Sequence, residues 1–398
     1  MPELKKVWMP ELDGLRAIAA LSVLLWHYNP ISRWDYGLAR FLQFFPIGPM
    51  GVVFFFVLSS FLLTRLSVTE FDQHGRIDII HFYVRRCLRI WPLYFSLLPC
   101  MFVVAAETAS PSQLVWIRHH AWMWPSFLSN WGLALTPVTS YQDQISLVLV
   151  IFWSLSIEEQ FYLLFPVVLS MVLTSTRRVW RVLAMAAVLG VVCRAISLLV
   201  PRLHPSGMYF ATFCYADVFL AGCIAGWMAA RSVPSVLAVH RTLTGALLGA
   251  SVVVLSFLWR KTLEYPYASY GVVLYGVTAC FFAVGILWVA ANNGSILSRL
   301  LRSRSLRTLG VLTYGIYLWH PAIGALMLGL AGIARGDRLT AYLIARTGFV
   351  LYVAMTIGMA ALTYLVVERP GLALKKRWYP SPTATARNEQ SSITVWAR

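Results

Sequence analysis

Apolar runs of about 20 residues recur along the whole chain, and no other feature constrains the fold as strongly. At 1.5 Å per residue, a run of about 20 residues crosses the roughly 30 Å hydrocarbon core of a bilayer as a helix. Lipid offers no partner to backbone N–H and C=O groups, so a helix that satisfies them internally is the form such a run takes. The runs predict ten spans, near residues 13–29, 45–66, 88–107, 146–173, 180–200, 210–230, 243–259, 268–291, 308–331 and 341–367. The expected fold class is therefore all-α, a polytopic membrane helical bundle. Composition agrees. Only 12% of the residues are charged and 59% are hydrophobic, whereas soluble domains carry about 25% charged residues. A disordered chain is excluded and a soluble globule is disfavoured.

The net charge of +17 would suggest nucleic acid in a soluble protein. In a membrane bundle it reads as topology, because basic loops stay in the cytoplasm. With the spans alternating from a cytoplasmic N-terminus, 23 of the 33 Lys and Arg fall on the cytoplasmic side and 8 on the other. Both termini are thus expected in the cytoplasm, with no nucleic-acid partner. The predicted organisation is a cytoplasmic N-terminus (1–10), one membrane domain (11–372) and a polar, disordered cytoplasmic tail (373–398). The first run lacks a small-residue cleavage site and reads as an uncleaved span. Residues 110–144, with Trp116, Trp122, Trp124 and Trp131, read as a non-cytoplasmic loop with an interfacial helix. The six cysteines are scattered without a CxxC, so neither a metal site nor a disulfide framework is expected.

Ionisable groups inside spans are costly and mark cavities, partners or function. Arg16 and His27 lie eleven residues apart in span 1, which places them on one helix face about 16 Å apart along the axis. An imidazole there suits a general base, though an interfacial aromatic belt would also explain it. Arg85, Arg86 and Arg89 open span 3. Guanidinium forks suit phosphates, and positive-inside topology is the plainer reading. Pro92 adds a kink or a helix start there. Glu158 and Glu159 sit in an otherwise apolar span, about 100° apart, so one at most faces a given pocket. His320 precedes Pro321 in mid-span and reads as structural, hydrogen-bonded to a backbone carbonyl freed by the proline, or as lining a substrate path, with direct catalysis the lesser alternative. Asp217 is expected to neutralise Arg194.

Six strings occur in order: ELDGLRAIAALSVLLWHY, GVVFFFVLSSFLL, FYVRRCLRIWPLY, FWSLSIEEQFYLLFP, YGIYLWHP and VVERP. Together they resemble the acyltransferase-3 family of integral membrane O-acyltransferases, from about Glu11 to Pro370. The family's Arg-x10-His falls on Arg16 and His27, its Arg-x-x-Arg on Arg86 and Arg89, and its Glu motif on Glu158. The resemblance implies a ten-span core in the inner (plasma) membrane. It implies acyl-CoA, most often acetyl-CoA, as co-substrate with no bound cofactor. The acceptor implied is a hydroxyl on a carbohydrate, with a small natural product such as a macrolide as the alternative. The chain looks like the stand-alone type, without a fused hydrolase-like domain. One departure is Ser60 where the family has Gly, in Ser59-Ser60-Phe61. Serine is among the next smallest residues, so the change is expected to be tolerated while reshaping the pocket.

These readings meet in one scheme. Arg16, Arg85, Arg86 and Arg89 hold the phosphates of acyl-CoA at the cytoplasmic mouth. His27 deprotonates the acceptor, and Glu158 orients the imidazole or stabilises its cation. Glu159, Asp217 and His320 line the path or support it. A proton-coupled transporter is the reading from another class, but the sequence shows no internal repeat and no paired broken helices.

Overall fold

The structure is a computed structural model that describes residues 9–28, 47–136, 147–200, 206–231, 241–264, 269, 271–333 and 338–378. All regular structure among them is helical. Ten long helices follow the ten expected spans in order. They are α1 (Glu11–Tyr28), α2 (Ile47–His74), α3 (Ile79–Thr108), α4 (Phe152–Leu173), α5 (Thr176–Leu199), α6 (Ala216–Arg231), α7 (Arg241–Glu264), α8 (Gly271–Ala291), α9 (Arg304–Ile333) and α10 (Arg338–Thr363). Among the described residues, nine segments, one on each of α2 to α10, are long and apolar enough to cross a membrane. Helix α1 falls outside that count because its first six residues include Glu11, Asp13 and Arg16. Helix α11 (Arg369–Trp378) follows a π-helical turn, Tyr364–Glu368, and runs straight through the expected boundary at 372/373. The rest of the expected tail, 379–398, lies outside the described residues, as do 1–8 and 137–146 of the loop.

The helices outrun the apolar runs. Helix α2 continues to His74, and α3 begins at Ile79 rather than near 88. Hydropathy marks only the stretch that meets lipid, whereas polar turns can extend a helix beyond it. The early start of α3 has a local cause: Asp78 is its N-cap and accepts from the His81 N–H at 2.9 Å. Glu70, near the end of α2, accepts from the Asp78 N–H at 2.9 Å and faces Arg85 at 3.4 Å. These bonds fix the α2–α3 turn, in which Gly75 adopts φ +71°. Arg86 and Arg89 are consequently held on a formed helix. Pro92 lies inside that helix and starts nothing. Its ring removes one N–H from the ladder, and Gly371 of α11 packs there, facing the Leu88 carbonyl and the Pro92 ring.

The core sits where α2 crosses α6 and where α1 lies along α9. At the first crossing Gly222 and Gly226 of α6 meet the backbone of α2 at Val57 and Phe61, too close for any Cβ. Small residues four apart are what such an approach requires. Ser60 is fully buried there and bonds back to the Phe56 and Val57 carbonyls at 2.9 and 3.1 Å. Glycine on α6 thus supplies the clearance that α2 lacks at Ser60. The start of α1 is anchored by Glu11, which is 2% exposed. Its carboxylate accepts from Arg302 Nε at 2.5 Å and from Ser298 Oγ at 3.0 Å.

Candidate active site

Helix α1 is unbroken from Glu11 to Tyr28, so Arg16 and His27 share a face about 16 Å apart along its axis. Their neighbourhoods differ in chemistry. The Arg16 end is crowded with charge. Arg16, Arg86 and Arg89 act electrostatically on one another, and Glu158 acts on Arg86 and Arg89. The α4 carboxylates face this cluster: Glu158 accepts from Ser59 Oγ at 2.8 Å, and Glu159 from Trp91 Nε1 at 3.3 Å. The Arg86 guanidinium also lies over the rings of Phe82 and Tyr162, at 5.9 and 6.0 Å. Arg89 is exposed and Arg86 half-buried, so guanidinium surface remains open to an anion. Among the described residues, Arg86 Nε and Glu159 Oε1 are buried without hydrogen-bond partners. Buried polar atoms are normally satisfied, so orphans concentrated in one place mark a site.

The His27 end is built differently. His27 Nδ1 is 2.9 Å from the Val23 carbonyl. A carbonyl only accepts, so Nδ1 carries the proton and Nε2 keeps its lone pair. The His27 side chain is exposed. Its ring meets that of His320 on α9, with centroids 4.8 Å apart and planes tilted 54°. His320 is 1% exposed. Among the described residues neither ring nitrogen has a hydrogen-bond partner of good geometry, although the Ile316 and Tyr317 carbonyls of its own helix lie beside the ring.

The expected residues therefore fall into four groups. Arg16, Arg86, Arg89, Glu158 and Glu159 form the charged cluster. His27 and His320 form a second centre farther along α1. Arg85 is turned to Glu70 and belongs to the α2–α3 turn. Asp217 lies elsewhere, in a bidentate pair with Arg194 at 2.6 and 2.9 Å, as the neutralising reading anticipates. The pairing expected between Glu158 and the His27 imidazole is replaced by two others, Glu158 to Ser59 of α2 and His27 to Val23 of its own helix. Glu158 is adjacent to cations that compete for it, and the i−4 carbonyl reaches Nδ1 without help from another helix.

Sequence reasoning missed Ser59, Tyr162, Tyr314 and Glu368. Glu368 lies at the end of the π-helical turn, is 9% exposed, has an orphaned Oε1 and interacts with Arg89. Tyr314 joins α9 to α3 through the Ile90 carbonyl at 3.0 Å. VVERP contained the signal for Glu368, since a carboxylate near the end of an apolar run needs a partner. π-turns also occur frequently at functional sites.

Residues 9–368 match the sequence profile of an acyltransferase domain, the acyltransferase-3 family. The chain belongs to that family. Peptidoglycan O-acetyltransferase OatA of Listeria monocytogenes is 29% identical over 372 residues, covering 91% of this chain and 56% of the relative. O-acetyltransferase OatA of Staphylococcus aureus is 25% identical over 370 residues, covering 91% and 57%. The chain spans about half the length of these curated relatives. No solved structure matches it. As a member of this family with repeated apolar helices, it is a multi-pass protein of the plasma membrane. Membership also sets aside the transporter reading.

Proposed function

We propose that this chain moves an acetyl group from acetyl-CoA, bound from the cytoplasmic side, to a hydroxyl of a cell-wall carbohydrate. One observation carries the reading: Arg16, which acts with Arg86 and Arg89 of α3, and the open imidazole of His27 stand on one face of α1, about 16 Å apart. A phosphate-bearing donor with a long pantetheine arm fits that span. The phosphates bind Arg16, Arg86 and Arg89, and the thioester reaches His27. The names of the relatives support acetyl as the group and peptidoglycan as the kind of acceptor.

His27 acts as general base through Nε2, because Nδ1 is committed to Val23. The acceptor's hydroxyl proton passes to Nε2 as its oxygen bonds to the thioester carbonyl carbon. The C–S bond then breaks, and the departing thiolate takes the proton from Nε2. Glu158 and Ser59 serve the donor end, where the carboxylate keeps the arginines ordered. Arg85 secures the turn that presents them.

The test uses the purified full chain with acetyl-CoA and chitopentaose, reading CoA thiol release and the mass of the acetylated product. His27→Ala loses about 10²–10⁴-fold in rate while CoA still raises the melting temperature. Arg86→Ala with Arg89→Ala loses that stabilisation. Transfer by His27→Ala near the wild-type rate refutes the assignment, and an undiminished CoA shift in the double variant returns the arginines to topology.

A further inference from the structure

Once His27 has taken a proton, it is a cation on a membrane helix, open on one side, and among the described residues the Val23 carbonyl is its one hydrogen-bonding partner. Burying a charge without a partner is expensive. The carboxylate expected for this purpose, Glu158, is engaged by Ser59 and acts on arginines. The residue against the imidazole is His320.

Three observations single it out. The two rings touch, with centroids 4.8 Å apart. His320 is 1% exposed, so its side of the contact is enclosed by the bundle while His27 keeps an open side. Among the described residues neither of its nitrogens has a hydrogen-bond partner of good geometry, the Ile316 and Tyr317 carbonyls being only neighbours, although an idle buried polar group costs about 1–3 kcal/mol. Phenylalanine would fill the same space without that cost. Neutral imidazole, in either tautomer, offers what phenylalanine lacks: one lone-pair nitrogen and a strong ring dipole. The neighbouring α9 ring cannot substitute. Tyr317 lies 5.7 Å from His320, and its hydroxyl is bound to Ser154 at 2.5 Å and to the Ile151 carbonyl at 3.1 Å.

Resting on the acyl-transfer reading, we propose that His320 is a positioning residue for His27. It holds the ring with Nε2 toward the open side and supports the imidazolium formed during transfer. The proton itself stays on the path already described, from acceptor oxygen to His27 Nε2 to CoA sulfur. His320 supplies an oriented dipole and a polarisable ring face to the transient cation. Because α9 carries His320 and α1 carries His27, the parallel packing of these two helices assembles the pair.

The experiment compares wild type, His320→Phe and His320→Gln with acetyl-CoA and chitopentaose. His320→Phe keeps a ring of similar size, and His320→Gln restores polar atoms. The expected result is a kcat about ten- to a hundredfold lower for His320→Phe, with KM for acetyl-CoA and the CoA-induced melting shift unchanged within twofold. His320→Gln should recover at least threefold of that loss. A kcat within twofold of wild type in His320→Phe overturns the proposal. Equal losses in both variants, together with a lowered melting temperature, assign His320 to packing and also overturn it. If wild type itself forms no acetylated product, the acyl-transfer reading fails and this proposal falls with it.

Discussion

The Arg194–Asp217 pair gives a sharp test of which intramembrane charges serve function. Arg194 is fully buried on α5 and is used almost completely. Nη1 and Nη2 bind Asp217 at 2.9 and 2.6 Å, Nε donates to the Val272 carbonyl at 2.6 Å, and Nη1 also reaches the Cys214 carbonyl. The Tyr275 ring lies beneath the guanidinium at 5.3 Å. Gly190 and Gly276 leave the space that the Asp217 carboxylate fills. Removing one partner of a buried pair typically costs about 3–5 kcal/mol, because the other charge is stranded. Asp217→Asn should fall near 3 kcal/mol, since two carbonyls still hold Arg194. Arg194→Met strands Asp217 and frees both carbonyls, so it should cost at least as much. The double variant Arg194→Met/Asp217→Ala still frees both carbonyls but strands no charge, so its loss should be well below the sum of the single losses. The assay is a double-mutant cycle on reversible unfolding in detergent, with acetyl transfer measured below the transition. Transfer by the double variant within threefold of wild type is expected. Additive single losses would refute the argument, and a folded but inactive double variant would place Asp217 on the substrate path.

Gly222→Val should prevent α2 and α6 from closing and should lower stability by more than the usual 1–3 kcal/mol for overpacking, because the added atoms meet backbone at Val57. Resistance to limited proteolysis equal to wild type would refute it. Asp78→Ala should cost about 1 kcal/mol as a lost N-cap. Hydrogen bonding, first from the His81 N–H, holds the Asp78 carboxyl below its ordinary value. Its contribution is therefore complete above the usual carboxylate range and fades as pH falls through the lowered value. A difference between the two proteins that grew on acidification would contradict this. Glu368→Gln removes one carboxylate facing Arg89 and should lower the KM for acetyl-CoA about fivefold, the equivalent of roughly 1 kcal/mol. A raised KM would show that the carboxylate holds the donor or orders Arg89.

The bundle was legible because lipid imposes one rule on every span, and an apolar run of the right length suffices to see it. Helix ends were less legible. The last turns of α2 and the first turns of α3 are polar, and the bonds among Glu70, Asp78 and Arg85 that sustain them link residues 8 and 15 positions apart. The Arg16–His27 register could be read because one unbroken helix fixes it. Contacts across helices could not. That Arg85 turns to Glu70, that Glu158 takes Ser59 and that His27 meets His320 all depend on how α1, α2, α3, α4 and α9 pack. Ser60 shows the same limit: its tolerance is decided by Gly222, more than 150 positions away on α6.

The charge pattern of the site bears on how a donor could be both held and released. Arg16, Arg86 and Arg89 are set among Glu158, Glu159 and Glu368, so the arginines are already attended by carboxylates. An entering phosphate displaces these interactions rather than meeting bare cations, and its net gain is smaller than three free guanidiniums would give. In the proposed reaction that moderation is useful, since CoA then has to leave after every transfer. The carboxylates also keep the guanidiniums ordered between turnovers, so less freedom is lost when a phosphate binds. The imidazole end has no such balance to keep. In the proposed reaction, charge arises there only while the acceptor's proton is in transit. A site with fixed charge at one end and transient charge at the other matches a reaction whose donor is anionic throughout and whose acceptor is a neutral alcohol.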